Sequence, residues 1–160
     1  MNIRPVGASD FPTLIQLAAN TFQPFYEEYV RTLLGEEVFQ HQHGNWRDDY
    51  ATDIPTLDDP EAGRHVAVAE IEDAIVGFVS WKNGAKTNHG EIYLLAVSES
   101  YRREYVGRKL CLHAMAEMKR NGVDVVEIGT GGDTFHAPAR TLYEDLGFTP
   151  IPVVAFLKKI

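Results

Sequence analysis

Two short runs hold the residue types that could do chemistry. The first, YRREYVGRK (residues 101–109), follows EIYLLAV (Glu91 to Val97), a run rich in strand formers, and opens a run with helical spacing. A helix beginning near Tyr105 leaves its first backbone N–H groups without internal partners and carries partial positive charge there, so the turn Arg103 to Arg108 is an anion site in waiting. Arg102, Arg103, Arg108 and Lys109 add formal charge, and the planar fork of arginine suits phosphate. The plain alternative is a basic helix start with solvated side chains. Tyr105 stands where a phosphate loop usually has glycine, which sets a condition. Its N–H can donate only if the local backbone is helical and the ring is turned from the ligand, and a positive φ would overturn that reading.

The second run is HAPARTLYEDLGF, residues 136–148. Ala139, Leu142, Tyr143 and Leu146 recur at i, i+3, i+4 and i+7, with Pro138 near the helix start and Gly147 at its end. Read alone, Tyr143 is a core aromatic whose hydroxyl finds a polar partner, and His136 is a helix cap.

The elements that must position these runs follow from periodicity. IRPV (Ile3 to Val6) reads as a first strand, and Ser9 or Asp10 can cap a helix carrying Phe11, Leu14, Ile15, Leu17 and Ala18. A second helical region lies within Phe25 to Phe39, and the polar stretch from His41 to Gly63 is long enough to be partly helical or functional. HVAVAEI, a tight Glu72-Asp73 turn, AIVGFVSWK, a polar loop around Asn83-Gly84 and EIYLLAV read as an antiparallel meander. Val106, Leu110, Ala114 and Met118 then mark a helix ended by Asn121-Gly122. VDVVEIG, the Tyr143 helix and a terminal strand VVAFLKK complete the chain. The fold class is therefore α/β (α+β): one domain over residues 1–160, with a mixed, mostly antiparallel central sheet flanked by helices. Ligands in such sheets bind at the carboxyl ends of strands.

Composition bounds the function. At 160 residues, 44% hydrophobic and 24% charged, the chain suits one globular domain. Ten acids and two bases lie between Glu27 and Glu61, leaving thirteen of each elsewhere, so the formal charge of -8 belongs to that segment. Such a surface repels nucleic acid and anionic membrane and favours cationic ligands, though a solvated acidic helix is the simpler reading. No apolar stretch reaches the length of a membrane span, and a cytoplasmic location is expected. One cysteine, Cys111, excludes an internal disulfide and a cysteine-built zinc site, and the pattern His41-x-His43 with His89 and His136 elsewhere is weak support for any metal. No metal is expected.

Together the two runs resemble the signature segments of the GNAT superfamily, the acyl-CoA-dependent N-acyltransferases. The first signature, Gln/Arg-x-x-Gly-x-Gly/Ala after the fourth strand, falls on Arg102, Arg103, Glu104, Tyr105, Val106 and Gly107. The second, NxxAxxLYxxxGF, opens here at His136 and runs through Ala139, Leu142, Tyr143, Gly147 and Phe148. The resemblance implies acetyl transfer from acetyl-CoA to a primary amine of a small molecule or protein. It implies that Leu95, Ala96 and Val97 pair with the pantetheine arm, that the turn Arg103 to Arg108 holds the pyrophosphate, that His136 stands where an asparagine commonly contacts pantetheine, and that Tyr143 protonates the departing thiolate. An ammonium acceptor must first lose a proton. Glu127 is the first candidate base and Glu91 the second, each with a solvent-facing strand carboxylate as its bland alternative. Tyr105 and His136 depart from the pattern and keep a non-catalytic acyl-CoA-binding or sensing role open, and a homodimer is compatible with the chain.

Overall fold

Val66, Ala67, Val68 and Ala69 are buried in succession, which happens only to a strand covered on both faces. That strand, β2 (Arg64–Ile71), lies in a five-stranded sheet with β1 (Asn2–Pro5), β3 (Ala74–Asn83), β4 (His89–Val97) and β5 (Val125–Ile128), ordered as in the chain. All neighbours are antiparallel except β4 and β5, which are parallel. The computed structural model describes residues 1–84 and 88–160, and the loop expected after Asn83 runs on through residues 85–87, outside those described.

The chain forms two units: Met1–Phe22 with Arg47–Gly129, and Gln23–Trp46 with Thr130–Ile160. In the first, helix α1 (Phe11–Pro24) sends Leu14, Leu17 and Ala18 into a cluster with Val66, Val68, Phe78 and Ala96. Helix α5 (Val106–Arg120) packs on β2, β3 and β4 through Val106, Leu110, Ala114 and Met118, the four residues whose spacing announces it. Gly77 allows this approach: a β-carbon there would meet Ala96 O at 3.0 Å, Leu110 Cδ1 at 3.2 Å and Val106 Cγ1 at 3.3 Å. Cys111 is buried on the same helix, and burial pushes its thiol up to about 12, so it carries no thiolate chemistry at neutral pH.

Neither Ser9 nor Asp10 caps α1 as expected. The carboxylate of Asp10 instead accepts from Gly7 N at 2.7 Å and joins Arg4, which also binds Glu70, tying β1, β2 and the entry to α1 together. The Glu72-Asp73 turn is present, with both residues left-handed (φ 50° and 62°), the conformation that matches the twist of a two-residue hairpin.

In the second unit α1 passes into a π-type turn at Phe25–Val30, then α2 (Arg31–Leu34) and α3 (Glu36–His43). Arg31 binds Glu27 and Glu36 and lies 4.1 Å from the Phe39 ring centre, while Tyr26 stacks on Trp46, whose indole N–H donates to Glu27 at 3.0 Å. The acidic segment is thus helical and partly self-neutralised, and it continues as α4 (Trp46–Asp53) and two short turns at Ile54–Leu57 and Pro60–Ala62. In the first unit Phe22 stacks on Tyr50 at 5.6 Å.

The expected terminal strand is absent. After α6 (Ala137–Asp145), residues 149–160 carry no regular structure, and Phe156 is 92% exposed. VVAFL has the propensity of a strand, but a strand also needs a partner edge, and no described residue pairs with it. Among the described residues no helix is long and apolar enough to cross a membrane.

Candidate active site

In the first unit the site begins with a fault in the sheet. The β3–β4 register shifts so that Ser80 faces Leu94 while Trp81 faces Ile92, leaving Tyr93 as the extra residue of a bulge. Parallel pairing of β4 to β5 spans only His89 to Ile92, opposite Val125 to Ile128. Beyond the bulge, Leu94 to Val97 pair with β3 alone, so one backbone edge of Leu95, Ala96 and Val97 is left without a strand partner. An extended, amide-bearing ligand can add to such an edge as a strand does.

The elbow follows at once. A turn at Glu99–Tyr101 leads to Arg102, whose Nε donates to Val97 O at 3.4 Å, then to Arg103 with φ 65° and Tyr105 with φ 61° and ψ 11°. Tyr105 is therefore left-handed, and the expectation of a helical donor there is overturned. It takes the conformation that a glycine would take, because α5 starts one residue later, at Val106, and the chain must reverse its hand to enter it. The anion-binding capacity has a different origin. A left-handed residue ahead of a right-handed one turns successive N–H groups to one side, forming a nest. The Tyr105 side chain does not cap α5, and the first turn of the helix contains no acid. The Tyr105 ring is 70% exposed. Glu104 is exposed between the two left-handed residues; its N–H could serve the nest, but its carboxylate would repel a phosphate. Tyr105→Gly should stabilise the fold by about 0.5–1 kcal/mol, because glycine enters this conformation without the side-chain penalty. A rise in the urea midpoint at unchanged slope would report it.

In the second unit α6 explains why the motif reads LYxxxGF. Phe148 N donates to Tyr143 O at 3.0 Å and Gly147 N to Glu144 O at 2.9 Å, with Gly147 at φ 90°: a Schellman ending. The hydrophobic contact of that motif is Phe148 against Tyr143, ring centres 6.2 Å apart and edge to face. Tyr143 is 9% exposed, its ring fixed by the cap of its own helix. His136 is the residue before α6, and its ring hydrogen-bonds Asp133 rather than capping the helix. Asp133 is signalled in the sequence only by its three-residue spacing from His136 within GTGGDTFH.

Glu127 lies on the edge strand β5, its side chain 69% exposed and 3.2 Å from His89 Nε2. It stands in register with Glu91, which is also exposed, so the two candidate carboxylates are neighbours on adjacent strands. His41, His43, His89 and His136 build no metal site: no group of three or more metal-ligating side chains exists among the described residues.

The chain is similar to known proteins over most of its length. A mycothiol acetyltransferase of Thermobispora bispora is 28% identical over 160 residues, covering 91% of this chain and 50% of that protein. The curated relatives are matched over 22% to 50% of their own length, so the chain spans half of them or less. Among solved structures, an acetyltransferase of the GNAT family from Staphylococcus aureus Mu50 has a TM-score of 0.72 at 18% identity, covering 94% of this chain and 85% of that one. An aminoglycoside N-acetyltransferase, AAC(6')-Iy in complex with CoA, has a TM-score of 0.68 at 15% identity, covering 99% and 93%. Those structural likenesses establish the shared fold. The profile of the acetyltransferase (GNAT) family matches residues 20–148, and the chain belongs to that family.

Proposed function

We propose that the protein transfers the acetyl group of acetyl-CoA to a primary amine. The observation that carries this reading is the β4 edge released by the Tyr93 bulge and continued by the left-handed elbow at Tyr105. The two parts suit the two parts of coenzyme A: the free edge of Leu95, Ala96 and Val97 takes the amides of the pantetheine arm, and the nest from Arg103 to Arg108 takes the pyrophosphate. Arg102, Arg103 and Arg108 supply the charge.

Tyr143 donates a proton to the departing thiolate sulfur, and its packing against Phe148 keeps the ring in one orientation. The acceptor is a cationic small-molecule amine, drawn by the acidic segment between Glu27 and Glu61. The names of the relatives, mycothiol acetyltransferase and aminoglycoside N-acetyltransferase, support a small molecule over a protein acceptor. Proton removal from that ammonium needs a base, for which Glu127 and the His136–Asp133 pair both offer a group.

The test is a screen for coenzyme A release from acetyl-CoA with spermidine, kanamycin, amino-acid amides and a lysine peptide. Release with at least one small amine, well above the rate with none, is the expected result. Tight acetyl-CoA binding without release across the panel would leave a binding or sensing module instead.

A further inference from the structure

The segment before α6 carries a side-chain pair in which His136, at the position of the family's pantetheine-contacting asparagine, is joined to Asp133. His136 Nδ1 lies 2.7 Å from Asp133 Oδ2, and the His136 backbone N–H donates to Asp133 Oδ1 at 3.0 Å. The histidine and aspartate side chains are only 16% and 7% exposed. Phe25 and Phe135 meet the imidazole edge to face, with ring centres 4.7 Å and 4.8 Å away. Arg140, on α6, donates to the carbonyls of Gly131 and Asp133 at 2.5 Å and 2.7 Å and so fixes the backbone under the pair. Gly131 completes the frame, because a β-carbon there would run into the Asp133 carboxylate and the His136 ring.

A loop staple would need only the bond from Asp133 to the His136 backbone. The second carboxylate oxygen, the two phenyl rings and the glycine all act on the orientation of the imidazole. Asp133 accepting from Nδ1 places the neutral ring's proton there and its lone pair on Nε2, the arrangement of a general base backed by a carboxylate. Burial opposes ionisation of Asp133, but the ring and backbone bonds from His136 outweigh it and hold the carboxyl below its ordinary range, so Asp133 is an anion at neutral pH.

His136 also precedes Tyr143 by seven residues, two turns of one helical face, or about 10 Å along the axis. A base at the attacking nitrogen and an acid at the leaving sulfur, each about 3 Å from its partner and on opposite sides of one carbon, are separated on that scale. Glu127, by contrast, is an exposed carboxylate beside His89.

We infer that His136, oriented by Asp133, is the general base that takes the proton from the acceptor ammonium, a role that rests on the acetyl-transfer reading. His136 Nε2 accepts one proton from the ammonium and releases it to solvent. The freed lone pair forms the nitrogen–carbon bond to the acetyl carbonyl, and the carbon–sulfur bond breaks. The second nitrogen proton restores Tyr143 after Tyr143 has protonated the thiolate, so the net reaction releases one proton. Asp133 is a positioning residue. The charged groups on the elements around the ring are Asp133, then Arg140, Glu144 and Asp145 on α6 and, on the π-type turn, Glu27, which is engaged by Arg31 and Trp46, and the exposed Glu28.

The experiment follows kcat/KM against pH, with whichever of spermidine or kanamycin the wild type acetylates faster, in His136→Asn and Asp133→Asn. Asparagine at 136 keeps a donor to Asp133 and loses the base. Its rate should fall about 10²–10³-fold while acetyl-CoA affinity stays within about three-fold, and the ascending limb of the wild type should vanish, leaving only a rise governed by the amine near pH 10. Asp133→Asn removes the carboxylate that orients the ring, so the limb should remain while the rate falls about ten-fold and the proton is no longer held on Nδ1. Imidazole nitrogen NMR of the wild type should show the neutral ring protonated on Nδ1, and that of Asp133→Asn a mixture of the two tautomers. Wild-type transfer with the limb intact in His136→Asn would overturn this inference alone and return the role to Glu127. Absence of wild-type transfer would overturn the acetyl-transfer reading and this inference with it.

Discussion

Tyr143→Phe lowers kcat by about 10²–10³-fold and leaves the affinity for acetyl-CoA within about two-fold, as measured by steady-state kinetics beside calorimetry. The size follows from the worth of a positioned general acid, and the selectivity from what the substitution removes. The phenyl ring of the variant keeps the packing against Phe148 and the Schellman ending of α6, so the helix is retained. Loss of one hydroxyl at this 9% exposed site costs about 1 kcal/mol of stability. Because thiolate expulsion is the step affected, acceptors of different basicity should lose rate by similar factors. An unchanged kcat would remove Tyr143 from the chemistry and reduce it to the buried aromatic of a helix cap.

The second large effect is on coenzyme A. Reversing charge at Arg103 and Arg108 together should raise the dissociation constant of acetyl-CoA about 10–100-fold at low ionic strength, and the loss should shrink as salt rises to about 1 M, where the Debye length falls to about 3 Å. Arg103 is left-handed, so glutamate there meets the same backbone demand as arginine, and the variant tests charge rather than fold. Affinity unchanged in calorimetry would show that the pyrophosphate is held by the backbone nest alone or lies elsewhere. A salt-independent loss would point to a distorted elbow.

Much of this was legible in the sequence because periodicity and punctuation act locally. Val106, Leu110, Ala114 and Met118 recur on one face, and Asn121-Gly122 closes their helix with the bonds Val123 N to Met118 O and Gly122 N to Lys119 O. The meander, its Glu72-Asp73 turn and the parallel β5 follow the same kind of local signal. Three features were not legible. The hand of Tyr105 depends on how the chain leaves β4 and enters α5, and the sequence shows an arginine-rich turn without its dihedral angles. The bulge at Tyr93 is a mismatch between two strands, invisible in either alone. The terminal VVAFL has strand propensity, but pairing is a property of the partner edge and not of the segment. Asp133 was missed for a related reason: in a glycine-rich loop its carboxylate reads as solvated until His136, Arg140 and Gly131 are seen to close around it.

The most direct test of acetyl transfer is to incubate the protein with acetyl-CoA carrying carbon-13 in the acetyl group and the small-amine panel, then read the acceptors by mass spectrometry. Labelled acetyl is expected on an amine nitrogen, formed in proportion to coenzyme A released and falling about 10²–10³-fold in Tyr143→Phe. Labelled acetyl-CoA that binds yet stays intact with every amine, or is cleaved to free acetate with no label on nitrogen, would contradict it.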